Sequence, residues 1–171
     1  RLARGTRCPG RLAGRLLRSP GDGGNGSVMK LPTGQVIGEV TDLRAPLAVR
    51  AEVFIAEQHV APAEDVDGRD ADCLHWLVTD AKGSVATLRV LPQGEVAKIQ
   101  RVAVLKRARG TGLGTALMRH VMDRLAERGF TRATLGAQID ALGFYERLGF
   151  QAHGPVYDDA GIPHRDMDRD L

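Results

Sequence analysis

Residues 102–115 read Val-Ala-Val-Leu-Lys-Arg-Ala-Arg-Gly-Thr-Gly-Leu-Gly-Thr, and they hold the pattern most able to do chemistry. A β-rich run enters a glycine-rich turn that opens a helix. Glycine lets backbone approach a ligand closely and adopt positive φ. The first N–H groups of a helix have no intrahelical partner, and the helix dipole adds partial positive charge there. Phosphate is the natural ligand of such a turn. Lys106, Arg107 and Arg109 add basic charge at the same end. A Walker loop is excluded, because Gly114 is followed by Thr115 and Ala116 rather than Lys-Ser/Thr. A dinucleotide fingerprint fails as well: Gly110 and Gly112 would need Gly or Ala where Thr115 stands, and Gly112 and Gly114 would need it at Leu117. What remains is R-x-x-G-x-G, made of Arg109, Gly112 and Gly114.

Other chemistries find less support. None of Ser19, Ser27 and Ser84 sits in a G-x-S-x-G elbow, so serine hydrolysis is not expected. Cys8 and Cys73 make neither a disulfide framework nor a metal quartet, and Cys73 reads as a small buried residue. Asp65, Asp67, Asp70 and Asp72 read as a mobile, solvated acidic loop able to attract a cation. Its start echoes a calcium loop, but the twelfth position is Trp76 rather than Glu. No metal is expected.

The elements around the turn alternate. Strands are predicted at 34–41, 73–79, 84–91, 95–104 and 131–138, with a last one beginning at 150–157. Helices are predicted at 47–58 and 112–128, with a third capped by Asp140, running to Leu148 and ended by Gly149. In the helix at 112–128, Leu117, Met118, Val121, Met122 and Leu125 share one face, which must cover a sheet.

The 171 residues amount to one α/β domain preceded by a tail. Residues 1–28 hold six arginines against one acid, Asp22, and end in a glycine-rich run. They read as a flexible segment: a targeting peptide, an anion-binding arm, or sequence foreign to the native start, which Met29 would then supply. A chain beginning at Met29 is expected to keep its melting temperature and ligand affinity. The net charge of +3 belongs to this tail; residues 29–171 carry a slight excess of acid, so nucleic acid is not an expected partner. No apolar run approaches the ~18 residues of a membrane helix, and no secretory core is evident, so no membrane is expected and a cytoplasmic location is.

With this context, the sequence resembles the GCN5-related N-acetyltransferase (GNAT) superfamily. Gln100-Arg-Val-Ala-Val104 followed by Arg109-Gly-Thr-Gly-Leu-Gly114 is similar to its acetyl-CoA motif. Ala141-Leu-Gly-Phe-Tyr-Glu-Arg-Leu-Gly-Phe150 is similar to its second signature. The resemblance covers about residues 36–171. Val53–Gln58, residues 64–70 before His75, and Gly161-Ile-Pro-His164 before Met167 resemble the ElaA-like (YjcF-like) subgroup.

The resemblance implies a strongly twisted mixed sheet flanked by helices, with the strands at 95–104 and 132–138 splayed to admit acetyl-CoA. Backbone groups of Val102 and Val104 would pair with its pantetheine. Backbone N–H groups of Arg109, Gly110, Thr111, Gly112, Gly114 and Thr115 would hold its pyrophosphate. Acetyl would pass to the amine of a small molecule or peptide by direct attack. Tyr145 sits where the family places the tyrosine that protonates the departing thiolate; a packing aromatic is the other reading. A lysine-like amine is neutral in about one of 2,500 molecules at pH 7, a deficit of about 4.6 kcal/mol. Some family members carry a glutamate base on the fourth strand, where Lys98 stands here. Glu57, Glu64 and His75 are the alternatives. A non-catalytic acyl-CoA-binding sensor is the second function class. The acceptor and the oligomeric state, a homodimer included, stay open.

Overall fold

The computed structural model describes residues 28–171, so the expectations for the arginine-rich tail lie outside the described residues, save for Val28. Among the described residues, eight strands form one sheet: β1 (Met29–Lys30), β2 (Val36–Val40), β3 (Leu74–Asp80), β4 (Gly83–Gln93), β5 (Val96–Val104), β6 (Arg132–Gln138), β7 (Gln151–Asp159) and β8 (Ile162–Asp170). Their spatial order is β1-β2-β3-β4-β5-β6-β8-β7. Every pairing is antiparallel except β5 with β6. The mixed sheet is the expected fold class. Its far edge differs from expectation. The single last strand is a hairpin, and β8 rather than β7 lies against β6.

Helices cover both faces. On one face, α3 (Leu113–Glu127) buries the whole predicted stripe from Leu117 to Leu125 against Trp76, Leu88, Ile99, Leu135 and Met167. On the other, α1 (Arg44–Arg50) runs into a π-helical segment, Ala51–Glu57, and packs Val49 and Val53 on Ala103 and Leu105. The short helix α4 (Leu142–Glu146) follows a 3-10 turn at Ile139–Ala141. Asp140 lies inside that turn and caps nothing: Ala141 takes the N-cap position without a side-chain bond.

The acidic segment departs in part from its expectation. Asp65, at the end of helix α2 (Pro62–Asp65), is 2% exposed, and Asp70 is buried too. The reason lies on neighbouring elements. Arg50 of α1 and Arg89 of β4 are 1% and 0% exposed, and a buried guanidinium needs anions. Arg50 donates to Asp65 at 3.1 Å and to Asp70 at 2.6 Å; Arg89 donates to Asp70 at 2.9 Å and to Asp67 at 2.6 Å. Arg101 adds donations to the Glu64 and Asp65 carbonyls. The segment is tied to the sheet through Asp65 and Asp70, while Asp67 and Asp72 stay exposed as expected. Cys73 is half-buried rather than fully buried, and burial pushes its thiol up.

Candidate active site

The predicted glycine turn is present. The chain leaves β5 through a 3-10 turn at Lys106–Ala108, passes Gly110 at φ 73°, and enters α3 with Gly112 as N-cap at φ 80°. No side chain caps this helix. The first cap-region bond runs from the Ala116 N–H to the Gly112 carbonyl at 3.0 Å, so the N–H groups just before it stay without intrahelical partners. Gly114 sits so close to Phe144 and Val104 that a Cβ would meet them at 3.4 Å and 3.7 Å. Thr111 fixes the turn by donating its hydroxyl to the Ala108 carbonyl at 2.7 Å. Thr115 lies in the first turn of α3.

Beside the turn the sheet opens. β5 and β6 pair only from Val96–Arg132 to Lys98–Thr134. An extra residue on β5 slips its register against β4 between Thr87 and Arg89, and Arg101 takes φ 54° there. Such a bulge bends its strand. Beyond it, the Leu105 N–H bonds to the Val85 carbonyl at 2.8 Å. Alternation along an antiparallel pair then turns the backbone groups of Ala103 toward β4 and those of Val102 and Val104 into the gap.

A cleft of about 250 Å³ occupies this region, lined by Lys98, Gln100, Val102, Leu135, Gln138 and Tyr145 among others. Tyr145, on α4, is 8% exposed and meets Phe144 and Phe150 edge-to-face. Burial pushes its phenol up to about 12. Its hydroxyl has no hydrogen-bond partner among the described residues.

Of the proposed bases, only Glu64 lines the cleft. Glu57 forms a two-pronged pair with Arg109, at 2.6 Å and 2.8 Å. The guanidinium holds the Glu57 carboxyl below the usual range, so it is anionic and engaged. The same Arg109 donates its Nε–H to the Val104 carbonyl at 2.9 Å. His75 is 3% exposed, with Nε2 2.9 Å from the Asp70 carbonyl, and it is not part of the cleft lining. Lys98 does line the cleft, so the strand position where a carboxylate base was sought holds a cation. Among the described residues, no cluster of three or more His, Cys, Asp or Glu is arranged to hold a metal, and no helix is long and apolar enough to cross a membrane.

Three contributors went unassigned in the sequence: Gly136, Tyr157 and His164. Tyr157, from β7, lies over β6 at Gly136 and donates its hydroxyl to Asp166 at 2.9 Å. A Cβ on residue 136 would fall inside van der Waals contact of that hydroxyl. Gly136→Ala is therefore expected to push the exposed Tyr157 ring off β6 and break its bond to Asp166, with little change in stability. A Tyr157 side chain unmoved in the variant would contradict that geometry.

Comparison with known proteins decides the family. Residues 40–171 match the acetyltransferase (GNAT) domain. The chain belongs to the GNAT acetyltransferase family. The match takes in the whole cleft, from the π-helical segment to β8. This acetyltransferase is 33% identical to YjcF of Bacillus subtilis, named an N-acetyltransferase, over 75% of this chain and 92% of that one. It is 34% identical to Protein ElaA of Escherichia coli, over 77% of this chain and 90% of that one. The crystal structure of ElaA superposes with a TM-score of 0.70 at 30% identity, covering 78% of this acetyltransferase and 97% of ElaA.

Proposed function

We propose that the protein transfers the acetyl group of acetyl-CoA to the amine nitrogen of a small molecule or peptide by direct attack. The parting of β5 and β6 carries this reading. It leaves the backbone of Val102 and Val104 facing a gap with a phosphate-type turn at one end and Tyr145 along its wall.

The residues fit acetyl-CoA. The N–H groups of residues 109–115 would take the pyrophosphate, with the helix dipole behind them. Gly112 takes a φ of 80°, which favours glycine, and a side chain at Gly114 would press on Phe144 and Val104. Val102 and Val104 would hold the pantetheine amides as an added strand. Arg109 now bridges Glu57 and the Val104 carbonyl, so its guanidinium bounds the space between turn and gap. Gly112→Glu places both strain and negative charge where pyrophosphate would lie. Its expected result is at least a tenfold loss of CoA affinity by calorimetry. Unchanged affinity in the folded variant would move the site elsewhere.

Tyr145 serves the departing thiolate. Full proton transfer from a free phenol to a free thiolate is already uphill by about 2 kcal/mol, and burial, which raises the Tyr145 phenol, makes it harder still. Tyr145 therefore hydrogen-bonds the sulfur as the C–S bond stretches. It passes its proton on only while taking another from the attacking nitrogen, so no free phenolate builds up. The test is a screen of primary amines with acetyl-CoA, read by released thiol. Saturable, amine-dependent release is expected. CoA binding with no amine-dependent release would overturn transfer in favour of a binding module.

A further inference from the structure

His164 lies on β8 between Gln138 of β6 and Tyr157 of β7, its register partners on either side. Partners across strands share a face, and all three line the cleft with Tyr145. The His164 Nδ1 is 2.7 Å from the Ile162 carbonyl. A carbonyl only accepts, so Nδ1 carries the hydrogen, and in the neutral ring Nε2 holds a lone pair. The ring is stacked on Tyr157, with centroids 6.0 Å apart and planes 22° apart. Tyr157 is in turn pinned by its bond to Asp166 and seated in the space left by Gly136. The imidazole is thus held by a backbone bond on one nitrogen and an aromatic wall on its face.

Two of the other candidates are engaged elsewhere, and the third sits on an exposed helix start. Glu57 belongs to Arg109, and His75 is committed to Asp70 away from the cleft. Glu64 faces the cleft but also reaches back toward its own helix start, with Oε2 3.4 Å from the Ala61 N–H.

Building on the acetyl-transfer reading, we propose that His164 is the general base, taking a proton through Nε2 from an alkylammonium acceptor. The nitrogen of the acceptor gives one proton to His164 and then attacks the thioester carbonyl carbon. The C–N bond forms, the C–S bond breaks, and the nitrogen's second proton reaches the sulfur by way of Tyr145. The products are an amide, a CoA thiol and a protonated His164, which discharges to water. The substrate class follows: amines that are charged at neutral pH and need a base.

The test uses two kinds of nucleophile. Spermidine, 2-phenylethylamine and lysine amide are protonated at neutral pH; hydroxylamine is not, and needs no base. His164→Asn keeps a donor for the Ile162 carbonyl and removes only the Nε2 function; His164→Gln is the second variant. CoA affinity and melting temperature report folding. In the folded variant, turnover of the alkylamines should fall at least ~10²-fold while hydroxylamine turnover, corrected for the uncatalysed rate, falls less than about tenfold. Equal losses for both nucleophiles, no loss, or the selective loss in Glu64→Gln instead would overturn the role of His164. Unmutated protein that turns over hydroxylamine but no alkylamine would overturn the substrate class. Unmutated protein that binds acetyl-CoA and turns over neither would overturn the transfer reading itself.

Discussion

Tyr145→Phe should lower kcat by about 10²–10⁴-fold while leaving the Kd for acetyl-CoA within about twofold, because general-acid assistance is worth that much and only a hydroxyl is removed. Stability should not change. The hydroxyl makes no hydrogen bond among the described residues and borders the cleft, so its removal strips no protein contact. The ring keeps its contacts with Phe144 and Phe150. The informative pattern is therefore a large loss in single-turnover rate beside an unchanged melting temperature. A packing role predicts the reverse: unchanged chemistry. Single-turnover kinetics are needed so that product release does not mask the step.

Arg89→Ala should destabilise the fold by about 3–5 kcal/mol, the range for stripping one partner from a buried ion pair. Arg89 is fully buried and spans Asp67 and Asp70, so its removal leaves Asp67 without its main partner and Asp70 with Arg50 alone. The exposed pair Arg44–Asp42 is the contrast, and Arg44→Ala should leave the urea midpoint unmoved. An equal midpoint for Arg89→Ala would show that the cluster is not stabilising. The same groups set an acid limit. Hydrogen bonds from Arg89 hold the Asp67 carboxyl below its ordinary value. Burial alone would raise Asp70, but bonds from Arg50 and Arg89 outweigh it and hold that carboxyl down too. Carboxyls lowered in the folded state stabilise above the unfolded value near 3.9 and lose that contribution as pH falls further. Stability should thus fall below about pH 4, and less steeply in Arg89→Ala.

The turn and the helix after it were legible because their signals are local. Glycines at 110 and 112 take positive φ, and the α3 stripe repeats at helical spacing. The parting of β5 from β6 came only through the family resemblance, and the structure agrees with it from Lys98 onward. The acidic segment was misread because its cations are remote in sequence: Arg89 lies 19 and 22 residues from Asp70 and Asp67. Charge in a strand reads as solvent exposure unless the fold supplies a partner. The hairpin was missed for a related reason. β8 reads Ile-Pro-His-Arg-Asp-Met-Asp-Arg-Asp, and only Met167 of it is fully buried. Glu57 is engaged by Arg109 across 52 residues, a pairing no spacing rule reveals. His164 stood in a recognised motif without a role, because its value depends on Tyr157 and Gly136 meeting from two other strands.

The central claim is direct transfer from acetyl-CoA bound at the glycine turn to an amine in the cleft. Acetyl-CoA labelled in its acetyl group tests it in one measurement, with protein in excess, an accepted amine present and the reaction quenched during the first turnover. The predicted result is label on the amine nitrogen in step with free thiol, none on the protein, and both signals reduced in Gly112→Glu in step with its lost affinity. Label trapped covalently on the protein before the amide appears, or transfer that survives Gly112→Glu intact, would contradict it.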